Sequence, residues 1–121
     1  SSDFAEPLRV LFAIGSLEQG GAELRLVELL NRLDRRRFAP ALYLMEKRGG
    51  LLSRLPPGIP IAAFHPAGHK PALPWRALGF FAPETARMFH LRSVARRCQA
   101  QVIVGWVLQS AYEALDAARV L

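Results

Sequence analysis

The chain has 121 residues, of which 51% are hydrophobic and 21% charged, and a formal net charge of +6. That length suits one domain with a real core, and the composition is that of an ordinary soluble globular protein. A single cysteine, Cys98, excludes an internal disulfide and a cysteine-based metal cluster, and no run approaches the roughly 18 apolar residues of a membrane span.

Residues 1–7 read as a loose lead-in or an expression remnant, and residues 8–121 as the domain proper. Leu8, Val10, Leu11, Phe12, Ala13 and Ile14 form an apolar run broken only by Arg9, which suits a strand of a parallel sheet covered on both faces. Gly15-Ser16-Leu17-Glu18-Gln19-Gly20-Gly21 supplies turn chemistry. From Ala22 the period becomes helical: Ala22, Leu26, Leu29, Leu30 and Leu33 share one face, and Arg25, Glu28, Asn31 and Arg32 are left for solvent. Gly15 and Gly20 have P-loop spacing, but Gly21-Ala22 stands where Lys-Ser/Thr is required, and G-x-G-x-x-G is absent. The two adjacent glycines then have two readings: a tight strand-to-helix connection, or a helix start whose free N–H groups meet an anion.

Phe38–Met45 reads as the second strand, with Pro40 near its beginning because proline is poorly tolerated in a strand interior. Glu46–Gly50 turns the chain, Leu51–Leu55 is at most two helical turns, and Ile59–Phe64 is a short third strand. His65–Pro83 reads as a long loop carrying Trp75, Leu78, Phe80 and Phe81, which either cap the core or contact an acceptor or lipid. His65 and His69 lack a nearby carboxylate or cysteine, so no metal is assigned. Glu84–Cys98 is a helix with Met88, Leu91, Ala95 and Cys98 as its buried stripe and His90, Arg92, Ser93, Arg96 and Arg97 opposite. Gln101–Trp106 is the fourth strand and Gln109–Leu121 a terminal helix. Alternating strands and helices with brief connections imply right-handed βαβ crossovers, hence a Rossmann-like α/β sandwich around a parallel sheet of order 3-2-1-4.

An apolar strand ending near Ser16-Leu17, then Gly20-Gly21-Ala22-Glu23 opening a Leu-rich helix, resembles the start of glycosyltransferase family 4. Val102-Ile103-Val104-Gly105-Trp106-Val107-Leu108-Gln109-Ser110 is similar to the Gly-Trp-Met-Tyr-His stretch after the fourth strand of bacterial polysaccharide-assembly members. The resemblance implies the N-terminal, acceptor-side domain of a two-domain GT-B enzyme. Such an enzyme transfers a sugar, with retention and without a metal or other cofactor, from a nucleotide sugar to a cell-envelope or polysaccharide acceptor. By that resemblance Gly20 and Gly21 would approach the donor diphosphate, and Trp106, Ser110 and Trp75 would bind a lipid- or saccharide-linked acceptor. Gln109 stands where the family carries a catalytic histidine; glutamine hydrogen-bonds a hydroxyl but exchanges no proton near neutral pH. The family's main donor-binding elements belong to a C-terminal domain outside these residues, so the 121-residue chain alone is expected to be inactive.

The basic residues imply a partner. Arg32, Arg35, Arg36 and Arg37 cluster where the first helix ends, and cations there also complement the helix dipole. No nucleic-acid module is recognisable, so Arg92, Arg96 and Arg97 are expected to face an anionic membrane surface, placing the protein in the cytoplasm or peripherally on the inner membrane face. The uncharged fourth strand, VIVGW, is expected to permit self-association through its edge. Two alternatives stand beside the transferase: a small flavodoxin-like binding or regulatory domain, and a basic membrane- or nucleic-acid-binding module.

Overall fold

A computed structural model describes residues 6–18, 20–65 and 83–106. Four parallel strands, β1 (Leu8–Ile14), β2 (Phe38–Glu46), β3 (Ile61–His65) and β4 (Val102–Gly105), form one sheet in the order β3-β2-β1-β4. Helix α1 (Gly21–Arg32) joins β1 to β2, a 3-10 turn (Gly50–Arg54) precedes β3, and α2 (Pro83–Arg97) precedes β4. The expected order 3-2-1-4 is the one observed, and the fold is α/β and Rossmann-like.

Strand alternation builds two cores from one sheet. Val10, Phe12 and Ile14 of β1 and Leu42 and Leu44 of β2 point to the α1 side, where they meet Leu26, Val27 and Leu30. Leu11 and Ala13 of β1 and Ala41 and Tyr43 of β2 point to the other face, against Ala86, Leu91, Val94 and Ala95 of α2. Both central strands are therefore apolar at nearly every position, which is why their sequences read as continuous runs rather than alternating ones. On α1 the inward face is shifted from expectation: Ala22 is exposed and Val27 is buried.

Pro40 lies within β2, paired with Val10, yet disrupts nothing. Two residues on, the Leu42 N–H donates toward the β3 side, to the Pro60 carbonyl at 2.9 Å. The Pro40 nitrogen faces that same side, before β3 pairing begins at Leu42–Ile61, so no ladder bond is lost.

Helix α2 requires a correction. His90, assigned by its polarity to the solvent side, is buried at 8% exposure, and Val94 and Ala86 are buried beside it, while Cys98 is only half-buried. The inward face runs through positions 86, 90, 91, 94 and 95, two adjacent rows of i and i+4 neighbours. Arg92 is half-buried rather than fully solvated, whereas Arg96 and Arg97 are exposed in the last turn. The helix stops in a Schellman arrangement: Gln99 N–H donates to Arg96 C=O at 3.0 Å and Ala100 N–H to Ala95 C=O at 2.9 Å. Gln99 takes the left-handed conformation (φ 55°) usually filled by glycine there.

Beyond β4 no further strand pairs among the described residues, and Val102 is 40% exposed.

Candidate functional site at the carboxyl edge of the sheet

In a parallel α/β sheet, ligands bind outside the carboxyl ends of the strands, at the point where the strand order reverses. Here that point lies between the carboxyl ends of β1 and β4. From β1 the chain runs into α1 on one face, and β4 is reached from α2 on the other. In the flavodoxin-like order β1 would lie between β2 and β3; β1 here lies between β2 and β4, so the strand order is not the flavodoxin one.

The β1–α1 loop is pinned from below. Leu17 is fully buried, its N–H donates to the Arg48 carbonyl at 2.9 Å, and its own carbonyl accepts from Leu51 N–H at 3.1 Å. Gly15 C=O accepts from Glu46 N–H at 2.9 Å. Arg48 forms ion pairs with both Glu18 of the loop and Glu46 at the end of β2. The segment after β2 thus serves as the floor on which the glycine loop rests.

Gly20 is the residue preceding α1, extended at φ −153°, and it offers no side-chain cap. Gly21 opens the helix; it is exposed, and a Cβ there would have no other atom within 4 Å. Gly20 is different, since a Cβ on it would collide with the Glu23 carboxylate. Glu23 therefore folds back over the helix start, the place where a carboxylate is favoured by the dipole and the unpaired N–H groups. An anion approaching Gly20 meets Glu23 first.

Trp106 joins this edge from β4. Its backbone N–H donates to Ala13 C=O at 2.9 Å, and its indole Nε1–H donates to Ala22 C=O in the first turn of α1 at 2.7 Å. The ring stands edge-on to Phe12, with centroids 6.3 Å apart. Its one side-chain donor is engaged within the fold, so what Trp106 can offer a ligand is ring surface. Trp106→Phe keeps the ring contact and deletes the bond to Ala22. We expect a loss of about 1 kcal/mol and faster hydrogen exchange in the first turn of α1. A urea midpoint equal to the wild type would show that the indole does not anchor the helix.

The structure thus brings Gly20, Gly21 and Trp106 together at one edge. Gln109, Ser110 and Trp75 lie outside the described residues. Arg92, Arg96 and Arg97 belong to α2, and Arg97 stands at the opposite, amino edge. No family model, curated protein or solved structure matches the chain. The chemistry therefore rests on the residues themselves. The sequence reading missed Glu18, Glu23, Glu46 and Arg48, although EKRGG after a strand signals a charged turn at the ligand-binding edge. Among the described residues no group of three His, Cys, Asp or Glu side chains is placed to hold a metal, and no helix is long and apolar enough to cross a membrane. What the edge offers is exposed backbone at a helix start, an aromatic wall, and a carboxylate–guanidinium cluster.

Proposed function

We propose that this domain is the N-terminal, acceptor-side part of a retaining, nucleotide-sugar-dependent glycosyltransferase of the family 4 type, acting on a cell-envelope or polysaccharide acceptor. The observation that carries the reading is the bare backbone at Gly21, at the start of α1 and at the switch point of a 3-2-1-4 sheet. Sugar transfer from such a donor requires stabilising the departing diphosphate, and backbone N–H groups with a nearby guanidinium do this without a metal. Helix N-termini suit that task because their first N–H groups lack partners and carry partial positive charge. Trp106 supplies an apolar surface on which a saccharide ring can lie. In this reading the donor's nucleotide is held mainly by a second domain.

Glu23 makes the reading specific. Its carboxylate lies against Gly20, where an incoming phosphate would meet its negative charge, so removing that charge favours the donor. In a protein joining this domain to its donor-binding partner, Gly21→Val is expected to lower kcat/KM for the nucleotide sugar at least tenfold with little loss of stability. Glu23→Gln is expected to lower the donor KM severalfold at nearly constant kcat. Steady-state release of nucleotide measures both. Unchanged turnover in Gly21→Val would reduce the glycine pair to a structural turn and remove the support for this function.

A further inference from the structure

A groove of about 490 Å³ opens at the amino edge of the sheet, on the α2 side and opposite the edge described above. Three arginines are among its lining residues: Arg9 of β1, Arg35 of the turn after α1, and Arg97 of the last turn of α2. They come from three segments far apart in sequence, and none of the lining residues is an Asp or Glu. The other lining residues include the short side chains of Ala39, Ala41 and Ala100.

The arginines of this region fall into two classes. Arg36 and Arg37 are paired with Asp34, at 3.4 and 3.9 Å. That carboxyl is held below its usual pKa, first by the Arg36 backbone N–H it accepts. Among the described residues neither Arg35 nor Arg97 has a carboxylate within ion-pair distance. Arg9 has only the exposed Glu6, at 3.9 Å. Arg9 is also oriented: its Nε–H donates to Gln99 C=O at 2.7 Å, and its main chain is bracketed by Gln101, whose Oε1 accepts from Arg9 N–H at 3.0 Å. The left-handed turn at Gln99 is what presents that carbonyl, so the end of α2 fixes the Arg9 side chain.

Three like charges around one recess repel one another and create a positive potential that an anion relieves. Guanidinium groups match phosphate oxygens in a planar, two-point geometry and are more weakly hydrated than ammonium groups. We propose that this groove is a binding site for a phosphate-bearing group, either a soluble phosphate or diphosphate or the headgroup of a phosphate-bearing lipid. The site is separate from the carboxyl edge and does not depend on the transferase reading.

The test uses the 121-residue chain and the double variant Arg35→Gln/Arg97→Gln, with Arg25→Gln/Arg54→Gln as a control of equal charge change at exposed positions elsewhere. Calorimetric titration with inorganic pyrophosphate is one arm. Co-sedimentation with vesicles of phosphatidylcholine, with and without phosphatidic acid, is the other. Cys98, the only cysteine of the chain, lines the groove and reports on it through its rate of alkylation by iodoacetamide. We expect at least a tenfold weaker response from the groove variant, an unchanged response from the control, and slower alkylation of wild-type Cys98 in the presence of the ligand. A response to pyrophosphate identifies a soluble phosphate ligand; a response confined to phosphatidic acid vesicles identifies a lipid headgroup. Equal responses from groove variant and control, or no response in either arm, would overturn the proposal.

Discussion

Gly49→Ala is expected to destabilise the domain by about 3 kcal/mol or more. Gly49 has φ 122° and ψ 149°, a region essentially closed to any residue with a Cβ. Space is denied as well, because a Cβ there would overlap the Leu17 carbonyl and the Glu18 nitrogen. Those atoms are main chain, and Leu17 is held by bonds to Arg48 and Leu51, so nothing soft can yield. Two other glycines calibrate the effect. Gly58 also has positive φ (83°) but open space around it, so Gly58→Ala should cost about 1 kcal/mol. Gly50 has neither constraint, and Gly50→Ala should be close to neutral. Urea titration of the three variants gives the ranking. A Gly49→Ala protein within 1 kcal/mol of wild type would mean that the segment after β2 does not carry the glycine loop. The consequence reaches the candidate site, since the same contact sets the path from Gly15 to the start of α1.

The elements legible in the sequence were those whose signal is local. The apolar runs of β1 and β2 marked strands covered on both faces, and the brief connections between them implied the parallel order that is observed. Gly20-Gly21 was legible as a helix start because the hydrophobic period changes at Ala22. Features set by tertiary contact were not. Gly49-Gly50 looks like any polar turn, and only the approach of Leu17 separates a Gly49 that must stay glycine from a Gly50 that need not. Arg9, Arg35 and Arg97 are dispersed in sequence and meet only because β1, the turn after α1 and the end of α2 share one edge. Glu23 was legible as a helix-opening residue, yet its folding back over Gly20 depends on rotamer and packing.

The two edges of the sheet divide the charges in opposite ways. At the carboxyl edge Glu18 and Glu46 share the single Arg48, which leaves one net negative charge, and the Glu23 carboxylate lies against Gly20, so an anion there meets negative charge. At the amino edge three arginines are among the residues lining the groove, and no Asp or Glu is. The net charge of +6 is therefore expressed unevenly, and salt should weaken anion binding at the amino edge more than at the carboxyl edge.

His90 is expected to make the domain acid-sensitive between about pH 6.5 and pH 4, a window in which well-solvated histidines have no such effect. The residue lies under the sheet at 8% exposure, with its Nδ1 2.7 Å from Tyr43 Oη and its ring against Phe64. Its polarity alone places it on the solvent face, because the sequence pattern of an inward helical stripe is carried by apolar residues. Burial disfavours the charged imidazolium, and the Arg97 guanidinium adds a smaller repulsion, so the pKa is lowered from 6.5 to about 4. The unfolded chain, with its ordinary value, binds the proton first as the pH falls. Stability is therefore intact above pH 6.5, declines as the pH drops toward 4, and levels off below, for a total of about 3 kcal/mol from this group. Carboxylates titrate mainly below pH 5, so the interval from 6.5 to 5 isolates the histidine. His90→Gln can still hydrogen-bond Tyr43 but cannot take up a proton, and should abolish the slope in that interval whatever its stability at pH 7. Arg97→Gln removes only the smaller cause and should flatten the slope slightly. Urea midpoints at half-unit pH steps decide the matter: a wild-type profile parallel to that of His90→Gln from pH 6.5 to 5 would mean that water reaches the imidazole and that α2 does not seal this face of the sheet.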